Sequence, residues 1–257
     1  MKKIIIILLA LLVAGIVLSA QEITGLQIVE NVYNRPTGND QTADLTMSLV
    51  NSRGDERVRI ISQFLKDFGD LEKKIMFFVS PADVYNTSFM NWSYDEVGKD
   101  DDQWIYLPAM KRVKRISSDS KSDYFMGSDF TYDDLGDRHP SADVHKLLRE
   151  EEIDGEMCYV VESNPKEEEY IYSKTITWIM KDNWIGKKKE FYDEDDELLK
   201  TLTVKESVTF DEVIIITLSQ MHNVQSDHKT IMKLENVEID TGVADNKFTE
   251  RMMKRGM

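Results

Sequence analysis

The chain has 257 residues, with 47 acidic against 32 basic side chains and a formal net charge of −15. That balance opposes long-range attraction to nucleic acid or to an anionic membrane surface. A lone cysteine, Cys158, permits no internal disulfide, so the fold must rest on its own apolar core.

Lys2 and Lys3 precede an apolar run from Ile4 to Leu18, and Ser19-Ala20-Gln21 supplies small residues for a cut. This order of charge, apolar run and cleavage site predicts a signal peptide over 1–20 and export from the cytoplasm. The run is short for a span of about 20 residues. The alternative is an uncleaved segment that anchors the protein in the inner membrane. No cysteine follows the cut, which excludes lipid attachment there. Cleavage removes two lysines and no acid, so the charge goes from −15 to −17 and 21–257 remain as one domain.

In chain order, Glu22 to Asn34 reads as a helix, with Ile23, Leu26, Val29 and Tyr33 at three- and four-residue spacing. Gly25 weakens it and Pro36-Thr37-Gly38 ends it. Hairpins follow. Leu45, Met47 and Leu49 alternate with polar residues, and Asn51-Ser52-Arg53-Gly54 turns. Val58, Ile60 and Phe64 share one face of the next strand. Met76-Phe77-Phe78-Val79 is apolar on both faces and requires a second layer. Ser88, Met90, Trp92 and Tyr94 give a heavily aromatic face.

Asp102 to Gly136 is the densest stretch. Trp104 and Tyr106 alternate with Ile105 and Leu107 until Pro108 stops the ladder. A basic run follows, Lys111, Arg112, Lys114, Arg115 and Lys121. Then Phe125-Met126-Gly127-Ser128-Asp129-Phe130 sets two apolar clusters around a glycine. Beyond it, Val144 to Arg149 reads as a strand, and Asp154-Gly155 as a hairpin turn. Met157, Tyr159 and Val161 share a face, as do Tyr172, Ile176, Trp178 and Met180. Lys187–Tyr192, Leu198–Lys205, Val213–Ser219 and Thr230–Ile239 complete a meander, and Phe248 to Met253 reads as a terminal helix or strand end. About ten or eleven strands with few helices predict a mainly β fold, an antiparallel sheet that curls.

The four histidines lie in different elements without metal-ligand spacing, and the acidic turns lack the spaced ligands of a calcium loop. Gly127-Ser128-Asp129 is not a nucleophile elbow. The expectation is therefore no catalytic residue, no metal and no cofactor. The informative set is apolar: Met90, Trp92, Trp104, Tyr106, Phe125, Met126, Phe130 and Trp178 are the candidates to line a lipid-binding cavity. The chain holds 13 Met, a side chain that adapts to varied apolar ligands. Gly127 is the candidate hinge of a flap. Lys111, Arg112, Lys114 and Arg115 are candidates to meet a head group or an acidic partner.

Trp104-Ile105-Tyr106-Leu107-Pro108-Ala109-Met110-Lys111-Arg112-Val113-Lys114-Arg115-Ile116, followed by Phe125-Met126-Gly127-Ser128-Asp129-Phe130-Thr131-Tyr132-Asp133-Asp134-Leu135, resembles the signature of bacterial outer-membrane lipoprotein-sorting proteins of the LolA-like superfamily. Asn164-Pro165, Trp178, Glu190-Phe191-Tyr192, Lys200-Thr201-Leu202, His228-Lys229-Thr230 and Phe248-Thr249 extend the likeness over nearly the whole exported chain. The resemblance implies a half-open antiparallel β-barrel with short helices over its concave side. It implies a monomeric carrier that binds lipid or lipoprotein acyl chains in the periplasm without catalysis, with an inner-membrane RND-type exporter as a partner. The alternative implied is a lipid-sensing regulatory domain of the same fold.

Overall fold

The computed structural model describes residues 22–257; the expected signal peptide, 1–20, lies outside them. Thirteen strands form one antiparallel sheet. The first five run as a meander: β1 (Asp40–Val50), β2 (Glu56–Asp67), β3 (Leu71–Ser80), β4 (Ser88–Tyr94) and β5 (Asp102–Leu107), with β6 (Arg112–Arg115) at the edge. The second meander is β7 (Asp143–Ile153), β8 (Glu156–Pro165), β9 (Lys174–Met180), β10 (Gly186–Tyr192), β11 (Leu198–Phe210), β12 (Val213–Asn223) and β13 (His228–Ile239). β1 pairs with β13, Leu45 opposite Leu234 and Met47 opposite Met232, and this pairing joins the two halves. β6 and β7 are the free edges, so the sheet is not closed. The count exceeds ten or eleven partly because the cationic strip is itself a strand. Its alternation is hidden because an edge strand is wet along most of its length.

Bulges in β1, β7, β10 and β11 interrupt the register and bend the sheet. The connection from β6 to β7 must travel from one edge to the other. Residues 116–142 do this across the concave face. They carry Ile116, Phe125, Phe130, Tyr132 and Leu135 into a core shared with Leu45, Met47, Ile61, Met76, Phe78 and Phe89. Phe125 packs edge-on to Phe89 and Tyr132, at 5.2 and 5.6 Å between centroids.

The predicted first helix is shorter than expected. α1 runs Gly25–Tyr33 because Thr24 caps it: Gln27 N donates to Thr24 Oγ1 at 3.2 Å and Thr24 N to Gln27 Oε1 at 2.9 Å. Its buried residues are Gly25 and Ile28, with Val32 half-buried beside them, while Leu26 faces solvent at 42% exposure. Gly25 explains the rotation. A Cβ there would lie 2.8 Å from the backbone of His145 and Leu147, so the helix touches β7 directly. Ile28 packs on Val161 and Ile179 on the concave side. α2 (Glu250–Arg255) covers the opposite face, where Phe248 and Met253 meet Ile75, Phe77 and Met90. Thus β3 is apolar on both faces because both are covered, as its sequence requires.

Candidate functional site

Side chains from distant parts of the chain meet on the concave face. Lys200, near the start of β11, is fully buried, and its ammonium lies 2.5 Å from Asp134 Oδ2 and 2.9 Å from the Asp129 carbonyl. Asp134 also accepts from the Tyr172 hydroxyl at 2.9 Å and from Thr131 N at 2.7 Å. Asp129 Oδ2 accepts from the Thr230 hydroxyl at 2.7 Å and lies 2.8 Å from His228 Nδ1. The Tyr170 hydroxyl donates to Asp133, and both tyrosine hydroxyls are pushed above their usual range by burial first and the neighbouring aspartates second. These bonds pin the crossing segment to β11 and β13. Fragments that read as separate in the sequence, around Asp129, Lys200 and His228, form one network.

Two hollows remain beside this network. One, of about 460 Å³, lies beneath α1 and is lined by Val29, Val32, Ile179, Phe191, Leu202 and Met221, with Phe130 at the crossing segment. The other, of about 430 Å³, has Leu45, Leu65, Met76, Met232 and Leu234 on its wall. They meet at Arg35, Thr37, Asp134 and Gly136. Each is within the roughly 300–1,000 Å³ of small-molecule sites, and charged side chains, among them Arg138, Asp143 and Lys174 in the first and Lys66, Glu72 and Lys74 in the second, share the wall with the aliphatic ones.

The eight apolar candidates divide between the two faces. Phe130 lines the larger hollow. Phe125 is buried in the concave core with Met126 packed against it. Met90, Trp92, Trp104 and Tyr106 lie on the other face, in the cluster that α2 covers. Trp178 is likewise on the outer face, with Cys158, Val160 and Val204. The residues between them turn inward instead: Phe89 and Ile105 pair across β4 and β5 within the concave core. Met90→Ala is therefore expected to cost about 2–5 kcal/mol of stability while leaving amphiphile affinity as it was. Denaturant unfolding and a binding titration on the same preparation check it.

Gly127 has φ +75° with open space around the position a Cβ would take, and Met126 beside it has φ +50°. The Arg59 guanidinium donates to the Met126 carbonyl from β2. Of the basic run, Lys111, Arg112 and Lys114 are exposed at the β6 edge, and Arg115 pairs with Asp102.

Sequence reasoning missed the acids at the hollow's margin. Glu72 and Asp137 are both held above the usual carboxylate range, by burial first. Lys74 opposes the rise in each, Asp137 and Asp101 add to it in Glu72, and Asp101 and Asp95 add to it in Asp137. A raised folded-state value penalises the charged fold at neutral pH, and the penalty disappears as pH falls through the folded value toward the unfolded one. Glu72→Gln should accordingly raise the melting temperature at about pH 7 and have little effect near pH 4, close to the ordinary glutamate value. Thermal unfolding at the two pH values tests this.

Among the described residues, no group of three or more His, Cys, Asp or Glu is placed to hold a metal ion, and no helix is long and apolar enough to cross a membrane.

A protein-family model described as an uncharacterized protein matches residues 70–255. The fold is similar to an outer membrane lipoprotein-sorting protein domain from Vibrio parahaemolyticus, with 34% identity and a TM-score of 0.84 over 90% of this chain and 98% of that one. It is similar to a DUF1329 family protein from Desulfovibrio piger, with 29% identity and a TM-score of 0.84 over 89% and 97%. A LolA superfamily protein from Nitrosomonas europaea, 19% identical with a TM-score of 0.68 over 90% and 99%, shares the fold. No curated protein matches the chain.

Proposed function

Because the chain belongs to the outer-membrane lipoprotein-sorting proteins of LolA-like fold, we propose that it carries lipid or lipoprotein acyl chains through the periplasm toward the outer membrane. The observation that supports this is the pair of joined hollows on the concave face, whose walls carry aliphatic side chains such as Leu45, Met76, Ile179, Leu202 and Met221. Each methylene buried there is worth about 0.8 kcal/mol, so the hollow lowers the cost of moving an acyl chain through water. No bond needs to be made or broken for that task. In this reading residues 1–20 are the export signal, the protein acts as a monomer, and an RND-type inner-membrane exporter supplies cargo. The exposed basic edge at Lys111, Arg112 and Lys114 is where a partner or head group would be met.

Loading requires an opening. In the finger from Phe125 to Phe130 the tip, Met126-Gly127, is the movable part, with Gly127 the hinge and Arg59 the catch that holds the Met126 carbonyl, while Asp129 stays anchored to Thr230 and Lys200. A hydrogen bond to a charged group contributes about 1.5–3 kcal/mol. Arg59→Met should then raise amide exchange across 126–128 by roughly tenfold or more, with the Asp129 anchor and distant strands unaffected. Exchange mass spectrometry reads this directly, and unchanged protection would remove Arg59 from that role.

The carrier function is tested by transfer of a fluorescent acyl amphiphile between donor and acceptor vesicles separated by a porous barrier. The protein should accelerate transfer in proportion to its concentration. Transfer no faster than the spontaneous rate would overturn the proposal.

A further inference from the structure

The lysines of β10 and β11 show a contrast. Lys187 lies 3.9 Å from Asp154, Lys188 lies 2.6 Å from Glu190 and Lys200 lies 2.5 Å from Asp134. Lys189 makes no ion pair and no hydrogen bond among the described residues. It is half-buried on the wall of the hollow beneath α1, opposite Thr177, with its ammonium 4.9 Å from the Phe191 ring. Arg35 shares the margin of that hollow. Its Nε donates only to the Val32 carbonyl, at 3.4 Å, and no carboxylate meets it among the described residues.

The acids nearby are already engaged. Asp134 is held by Lys200 and Tyr172, Asp133 by Tyr170, and Asp143 by Arg138 at 2.7 Å. Asp137, whose carboxylate has no side-chain partner among the described residues, is acted on by Lys74, Asp101, Asp95 and His139. Burial pulls both Lys189 and Arg35 below their ordinary values. A buried cation without a partner is costly unless something neutralises it.

We propose that Lys189 and Arg35 bind the anionic head, a phosphate or carboxylate, of an amphiphile whose hydrocarbon lies against Ile179, Leu202 and Met221. This rests on the carrier reading and adds that the cargo bears a negative charge beside its acyl chain. A planar guanidinium and a mobile ammonium lining the same hollow suit an anion with several oxygens.

The experiment compares two ligands that differ in one group, 1-lauroylglycerol 3-phosphate and 1-lauroylglycerol, by calorimetric titration below their micelle concentrations. Inorganic phosphate serves as the third ligand. The phosphate ester should bind about tenfold or more tightly than the neutral ester, about 1.4 kcal/mol, and rising salt should narrow the gap. Lys189→Met and Arg35→Gln should each bring the ratio of the two affinities toward one, and Lys189→Arg should keep most of it. Equal affinities in the native protein, or a ratio unmoved in both Lys189→Met and Arg35→Gln, would overturn the anionic site and leave the carrier reading standing. If neither ester binds, both fall. If only inorganic phosphate binds, the site takes a free anion and the amphiphile assignment is wrong.

Discussion

Replacing Lys200 with methionine should destabilise the protein by about 3–5 kcal/mol, the usual cost of leaving one member of a buried ion pair without its partner. The side chain has no exposed surface, and Asp134 is 6% exposed. Without the ammonium, the Asp134 carboxylate would retain only the Tyr172 hydroxyl and the Thr131 amide, inside a core of Phe191 and Tyr172. At roughly 2–4 °C per kcal/mol for a domain of this size, the melting temperature should fall by roughly 10 °C. The double variant Lys200→Met with Asp134→Leu should recover more than half of that loss, because a matched apolar pair carries no stranded charge. Melting curves of the two single variants and the double variant form the test. A single-variant loss below about 1 kcal/mol would mean that the pair is hydrated and does not hold the crossing segment in place.

Filling the hollow should abolish its use without unfolding the sheet. Thr177, on β9, faces the larger hollow and pairs with Lys189 on one side and Val161 on the other. Thr177→Trp places an indole where hydrocarbon would lie. If three or four methylenes lose their seat, at about 0.8 kcal/mol each, affinity falls by about 3 kcal/mol, roughly a hundredfold. Displacement of a fluorescent fatty acid measures this, with Met90→Ala as the control on the opposite face. Affinity within about threefold of the native value would place the acyl chain elsewhere and remove the hollow beneath α1 from the proposal.

Residue order alone was enough for whatever depends on neighbours a few positions apart. Period-two alternation marked the strands, turn residues separated them, and the doubly apolar Met76-Phe77-Phe78-Val79 run announced a sheet covered on both sides. The likeness in Trp104–Ile116 and Phe125–Leu135 pointed to the fold, and the thirteen-stranded open sheet agrees with it. Even Gly25, which reads as a weak point in a helix, is in the structure the residue that lets α1 touch β7.

Which face of each strand becomes the inside was settled by long-range packing. Alternation sorts Phe89, Asn91 and Ser93 from Met90, Trp92 and Tyr94 but gives no sign to the curvature. The aromatic set that drew attention in the sequence went to the outer face under α2, and the plainer set turned inward. The meeting of Asp134 with Lys200, 66 residues apart, and of Asp129 with Thr230, 101 apart, was equally hidden. Those contacts exist because β1 pairs with β13 and bulges bend the sheet, which forces residues 116–142 across the hollow side. Local spacing fixes the period of a strand, whereas the direction of bending is set by pairings between distant segments.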